Sequence, residues 1–125
     1  MIEFNFINHS SFSIKKDDTI LTVDPWIDGC VFNNSWKLLT KTPKDMVNIV
    51  KRSSHVWFSH EHPDHFNPPN LNIFNNNTNF IFQKTKDKRV IKFLKRISNN
   101  ITEAESGKSI NLTDNFSIQV FPFQD

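Results

Sequence analysis

The chain has 125 residues, a length that suits one domain with a modest core. Hydrophobic residues make up 37% of it and 13 residues are Phe, which is typical of a packed globular protein and excludes a disordered one. The formal net charge of +2 is too small to indicate a nucleic-acid partner.

The N-terminus has neither the basic region nor the apolar run of a signal peptide, and no apolar stretch approaches transmembrane length. The single cysteine, Cys30, cannot form a disulfide within the chain, which fits a reducing compartment. We therefore expect a cytoplasmic protein with no membrane span.

The first part of the chain predicts an antiparallel meander of three strands. Apolar residues alternate along positions 2–7, which indicates a half-buried strand, and Phe12 and Ile14 continue the pattern after a turn. A polar hairpin turn then leads to a third strand at 19–23.

Residues 25–42 read as a long ordered loop with aromatic anchors at Trp26, Phe32 and Trp36. A helix is predicted after this loop, with Thr42 as its cap and Pro43 at its first position.

The rest of the chain alternates between strands and helices. Residues 55–58 and 80–82 are short apolar runs that predict buried strands, and 87–97 predicts an amphipathic helix. Short strands are expected at the remaining apolar runs: 101–102, 109–112 and 116–121. The order predicts one α/β (α+β) layered domain over residues 1–125 with a mixed sheet.

Basic residues cluster between Lys84 and Arg96. The solvated face of a helix is one interpretation of this cluster. A patch that attracts an anionic substrate is the alternative.

Four potential metal ligands lie within six residues, directly after the predicted strand 55–58: His60, His62, Asp64 and His65. Imidazole and carboxylate groups are ligands of Zn²⁺, and also of Fe²⁺ or Mn²⁺. In an extended segment His60 and His62 point to the same side and can hold one ion. The bend at Pro63 can turn Asp64 and His65 toward a second ion. A solvated polar turn is the alternative interpretation.

This segment, VWFSHEHPDHFN at 56–67, resembles the metal-binding loop of the metallo-β-lactamase superfamily. The run NHSSF at 8–12 resembles the branch that contains N-acyl-phosphatidylethanolamine phospholipase D. The run TVDPWIDGCVFNNSWKLL at 22–39 is similar to the CMP-N-acetylneuraminate hydroxylase-like branch.

The resemblance implies an αββα sandwich with one or two metal ions, most simply zinc, at one edge of the sheets. His60 and His62 would bind the first ion, and Asp64 and His65 the second. Asp64 would also orient a hydroxide. Asp24 would support the metal loop by hydrogen bonding, although a strand-end turn with Pro25 is the alternative. His9 would be a substrate contact or auxiliary acid, or simply a turn residue.

The activity implied is that of a metal-dependent hydrolase acting on an ester, phosphodiester or amide in a small-molecule or lipid/sugar-phosphate substrate. One alternative is a part of a CMP-sugar hydroxylase-like oxygenase, whose Rieske cluster one cysteine cannot hold. The other is a non-catalytic metal-binding fragment.

The chain departs from the superfamily after His65, because no later histidine is present. The expected third histidine, bridging carboxylate and last histidine are missing, and Asp125 is the residue that could take the third position. We therefore expect the N-terminal half of the sandwich. An uncovered sheet face would favour a homo-oligomer.

Overall fold

A six-stranded mixed sheet forms the centre of the computed structural model, which describes residues 1–122. Its strands, in spatial order, are β1 (Ile2–Asn8), β2 (Ser11–Lys16), β3 (Thr19–Val23), β6 (His55–Phe58), β7 (Asn79–Gln83) and β8 (Asn100–Ala104). Two hairpins complete the strands: β4 (Cys30–Val31) with β5 (Trp36–Lys37), and β9 (Ser109–Thr113) with β10 (Phe116–Gln119). The α/β layered arrangement with a mixed sheet is confirmed.

Short turns make the first three strands antiparallel, whereas β3, β6, β7 and β8 run parallel. The crossovers between parallel strands contain helix α1 (Lys44–Lys51), a 3-10 helix (Pro68–Ile73) and helix α2 (Arg89–Leu94). Since β2 reverses direction between β1 and β3, the ends of β1, β3 and β6 all reach one edge of the sheet.

The core lies between the sheet and the helices. One cluster joins side chains of β6 and β7 to α2 and the loops before it: Val56, Phe58, Phe66, Leu71, Phe80, Phe82, Ile91 and Leu94. A second cluster brings Val50 of α1 against Ile7 and Ile27. Both clusters contact Phe74, so they meet on one face of the sheet. Ile81 of β7, which alternates with Phe80 and Phe82, is also fully buried, so the centre of the sheet is covered on both faces.

The opposite face of β1 is open, which corrects the expectation that its Phe residues are half-buried. Phe4 and Phe6 are 63% and 62% exposed, while Ile7 at the strand end is buried. On the neighbouring strand Ser11 and Ser13 are the buried residues. Small polar side chains therefore face the helices here, and large apolar ones face outward.

Both helices differ at their ends from the prediction. Thr42 does not cap α1, because its hydroxyl donates to the carbonyl of Ile27 at 2.7 Å and accepts from the Asn8 amide at 2.9 Å. Pro43 takes the cap position instead. Helix α2 ends at Leu94, and turns of the 3-10 type carry the chain on to Ile97, which still packs against the core.

The aromatic anchors expected in the loop 25–42 are only partly correct. Trp26 is buried, but Phe32 and Trp36 are exposed on the β4–β5 hairpin. The basic residues of α2 agree with a solvated face, since Lys88 pairs with Glu103 and Arg89 with Asp87. The helices α1 and α2 have 8 and 6 residues, so neither could span a bilayer.

His55 makes folding stability depend on pH. Burial lowers the pKa of His55 below its ordinary value of 6.5, so the unfolded chain binds this proton more readily than the folded chain. Its contribution to stability is complete above that value and is lost as the pH falls through it. In the variant His55→Asn, the unfolding free energy should therefore fall less than in the wild type between about pH 7.5 and about pH 5.5. Urea unfolding at both pH values measures this, and equal losses in the two proteins would contradict it.

Candidate metal centre

Three separate segments meet at one edge of the sheet. His9 lies in the turn between β1 and β2, Asp24 directly follows β3, and the segment 59–65 directly follows β6. The backbone N–H of Asp24 donates to the carbonyl of Trp57 at 2.9 Å, which continues the pairing of β3 and β6 to the start of this segment. We call residues 59–65 the metal loop.

His60 and His62 lie side by side in the metal loop. The Nε2 atom of His60 is 3.1 Å from the Nδ1 atom of His62. The ring of His65 is 4.1 Å from the ring of His60, measured between centroids. The three imidazoles therefore form one compact group on the loop.

A turn after Pro63 brings the last two residues of the motif back toward this group. The N–H groups of His65 and Phe66 both donate to the carbonyl of His62, at 2.9 and 2.8 Å. The carboxylate of Asp64 then lies 3.3 Å from Nε2 of His65.

His9 approaches the same group from the turn between β1 and β2. Its Nε2 atom lies 2.9 Å from Oδ2 of Asp64. The potential ligand atoms of His9, Asp64 and His65 all lie within 4.8 Å of one another. From the sequence we expected His9 to be a substrate contact, an auxiliary acid or a turn residue. In the structure it lies among the potential metal ligands.

Asp24 lies behind the loop, buried, and holds it by three hydrogen bonds. Its carboxylate accepts from the backbone N–H of Ser59 at 2.7 Å, from the Ser59 hydroxyl at 2.6 Å and from Nδ1 of His65 at 2.8 Å. This position agrees with a supporting role behind the ligands, as the resemblance implied.

These hydrogen bonds determine which nitrogen of each imidazole carries its proton. An ionised carboxylate can only accept, so His65 donates from Nδ1 and keeps a lone pair on Nε2. Ser59 gives its one hydroxyl proton to Asp24, and its oxygen lies 2.8 Å from Nδ1 of His60. His60 must therefore donate from Nδ1, which leaves Nε2 with a lone pair. One carboxylate thus orients two histidines as metal ligands require.

Burial lowers the pKa of His60, and the neighbouring His65 and His62 lower it further. His60 is accordingly neutral near pH 7, which is the form that binds a metal. For Asp64, burial raises the pKa, but the hydrogen bond with His9, together with the neighbouring His65, outweighs burial and lowers the pKa overall. Asp64 is therefore an ionised acceptor in this group.

The site residue Asp125, expected near the third ligand position, lies outside the described residues.

The family model described as "Beta-lactamase superfamily domain" matches residues 3–124 of the chain. The chain belongs to the metallo-β-lactamase superfamily. The resemblance seen in the sequence is thereby confirmed, and so is the metallo-β-lactamase-like fold.

Curated relatives of this superfamily member are sugar-nucleotide hydroxylases. Cytidine monophosphate-N-acetylneuraminic acid hydroxylase of Asterias rubens is 31% identical over 72 residues, which is 58% of the chain and 11% of that protein. The Danio rerio protein of the same name is 33% identical over 70 residues, which is 56% of the chain and 12% of that protein. The matched part of the chain thus covers about a tenth of the length of these relatives.

Solved structures with the same fold include hydrolases and a hydroxylase. Igni18, a metallo hydrolase from Ignicoccus hospitalis, has a TM-score of 0.60 at 16% identity, over 97% of the chain and 48% of that protein. CmlA, a diiron β-hydroxylase from Streptomyces venezuelae, has a TM-score of 0.71 at 14% identity, over 98% of the chain and 24% of that protein. These likenesses show the fold.

Metal binding is a property of this superfamily, and the donor set of the chain fits it. Imidazole nitrogens of neutral tautomers and an ionised carboxylate suit Zn²⁺, Fe²⁺ and Mn²⁺. The residues that could hold a metal are His60, His62, Asp64 and His65, with His9 beside them.

Replacing Asp24 by Asn should weaken zinc binding roughly 10- to 100-fold, the usual effect of removing a group that orients metal ligands. The carboxylate accepts from the Ser59 N–H on one oxygen and from the Ser59 hydroxyl and His65 on the other. An amide replaces one of these oxygens by an NH2 donor, so the donors on that side lose their acceptor and the metal loop loses part of its support. Competition against a chromophoric chelator measures the affinity. Asp18→Asn is the matched control, because this exposed residue lies in the β2–β3 turn at the opposite edge. Equal affinities of the two variants would contradict the role of Asp24.

Proposed function

We propose that this chain is the metal-binding part of a metal-dependent hydrolase that cleaves an ester, phosphodiester or amide. One observation carries the proposal: four side chains of a single loop and His9 meet at the sheet edge, with Asp24 setting the tautomers of His60 and His65. A metal bound there would supply Lewis acidity to the substrate and to the attacking water.

Each residue has a separate part in this reaction. The imidazoles of His60, His62 and His65 would hold the ion. The carboxylate of Asp64, whose pKa is lowered, would accept a hydrogen bond from the attacking water and so orient it. His9 is hydrogen-bonded to Asp64 and one-third exposed, so it can contact the substrate and donate a proton to the leaving group.

Hydroxylation is the second candidate, because the curated relatives are sugar-nucleotide hydroxylases and CmlA is a diiron hydroxylase. In that case the site would take iron, and the reaction would need dioxygen and a reductant. In either case we propose a small-molecule substrate, of the lipid- or sugar-phosphate class, and a cytoplasmic location.

The zinc-loaded protein should hydrolyse a chromogenic phosphodiester, and Asp64→Asn should lower the rate at least about 100-fold because the carboxylate no longer orients water. Glu61→Gln is the matched control, since this carboxylate is exposed and lines a pocket beside α2. Absorbance of the released phenolate measures the rate.

Equal rates for the two variants would contradict the assignment of Asp64. If the zinc form is inactive but an iron form hydroxylates a cytidine monophosphate-linked sugar with a reductant present, the second candidate replaces the first.

We further propose that residues 1–125 form the N-terminal half of the superfamily sandwich and that the chain associates with itself. The chain covers 48% of the Igni18 chain, and β1 is an edge strand with Ile2, Phe4 and Phe6 exposed on one face. Contiguous exposed apolar surface of this kind marks an association site.

Sedimentation velocity at micromolar concentrations should show a concentration-dependent dimer. The double variant Phe4→Glu/Phe6→Glu should be a monomer, because charge on this face cannot be buried. Leu39→Glu should still dimerise, since Leu39 is fully exposed in a different loop. A wild-type monomer at every concentration would refute self-association.

A further inference from the structure

The β4–β5 hairpin exposes two aromatic side chains. Phe32 is 38% exposed and Trp36 is 51% exposed, although large aromatic residues are usually buried. Their rings meet at 5.0 Å with 69° between their planes. They form a corner of two rings that are inclined at 69° to each other.

This corner borders the candidate metal centre. The ring of Trp36 is 6.5 Å from the ring of His9, and the ring of Phe32 is 6.5 Å from the ring of His62, measured between centroids. The corner therefore touches the potential ligands on both sides of the site. A molecule held at the metal would lie against it.

The backbone beneath the corner is strained. Phe32, Asn33 and Asn34 have φ angles of 52°, 53° and 63°, three consecutive non-glycine residues in the left-handed region. Asn tolerates this conformation, but a bulky residue such as Phe rarely adopts it. A strained backbone conformation persists only where surrounding contacts hold it, and such conformations are common at binding sites.

Backbone hydrogen bonds and one buried side chain hold the hairpin in this shape. Ser35 donates its N–H to the carbonyl of Phe32 at 3.1 Å, and the strands pair Cys30 with Lys37 and Val31 with Trp36. Val31 is buried and fixes the hairpin to the body of the domain. The two aromatic rings are thus presented on a supported turn.

We propose that Phe32 and Trp36 are specificity-determining residues that stack on the ring of the substrate while its reacting group lies at the metal. The proposal rests on the proposed function only in placing the substrate over the metal centre. The ligand class is a small molecule with a flat ring face, such as a nucleobase or the apolar face of a sugar ring. One aromatic wall stacks on the face of that ring, and the other contacts its edge.

The test uses the zinc-loaded protein and two probes, cytidine monophosphate and N-acetylneuraminate, with affinity measured by calorimetry. Trp36→Ala and Phe32→Ala should each weaken binding of cytidine monophosphate roughly 5- to 100-fold, as expected for the loss of one stacking partner. Trp36→Phe should retain most of the affinity. Leu39→Ala should change nothing, because it removes an exposed apolar side chain of the same long loop.

The affinity for zinc, measured separately, should stay within about twofold in all four variants, since none of them alters a ligand or its support. If the loss falls on N-acetylneuraminate instead of cytidine monophosphate, the sugar ring is the stacked group and the corner keeps its role. Unchanged affinity in Trp36→Ala and Phe32→Ala, or no binding of either probe, would overturn the proposal. If ring binding depends on Trp36 but no hydrolysis is detected, the proposal for Phe32 and Trp36 holds and the proposed hydrolase activity is contradicted.

Discussion

A carboxylate buried at the end of a strand is stable only where hydrogen-bond donors surround it, and the donors available to Asp24 determine the shape of the metal loop. Its three partners belong to Ser59 and His65, which lie at the two ends of that loop. Holding both ends requires the residues between them to fold back over the strand. The convergence of the histidines thus follows from satisfying one buried charge.

The topology explains why this charge can act on so many groups. The chain enters β1, β3 and β6 in the same direction, so that their ends share one edge of the sheet. Residues as far apart in sequence as His9 and Asp64 then come within 2.9 Å. His9 and Asp24 both have left-handed φ angles, of 51° and 46°, at this edge. Two polar residues of the site thus have the left-handed backbone conformation that non-glycine residues rarely adopt.

The sequence predicted the parts of this site that depend on local spacing. The alternation of His60 and His62 after an apolar strand placed them on one side of the loop, because that geometry needs no distant partner. The contact of His9 with Asp64 depends on the packing of β1 against the rest of the sheet, which spacing does not reveal. The β4–β5 hairpin was missed because its two-residue strands are too short to show a period.

The alternation along β1 illustrates a different limit. A period of two shows that a strand has two unlike faces, but it does not show which face is covered. The expectation that apolar residues point to the core failed because Ser11 and Ser13 of β2 occupy the helical side, while Phe4 stacks on Phe12 on the other. The outward apolar face lies on the antiparallel pair of β1 and β2, whose register is continuous from Ile2 to Phe6. The corner of Phe32 and Trp36 is small, strained and adjacent to polar ligands. Because their surroundings differ in this way, exposed aromatic residues lead to two different proposals, a protein surface at β1 and a small ring at the hairpin.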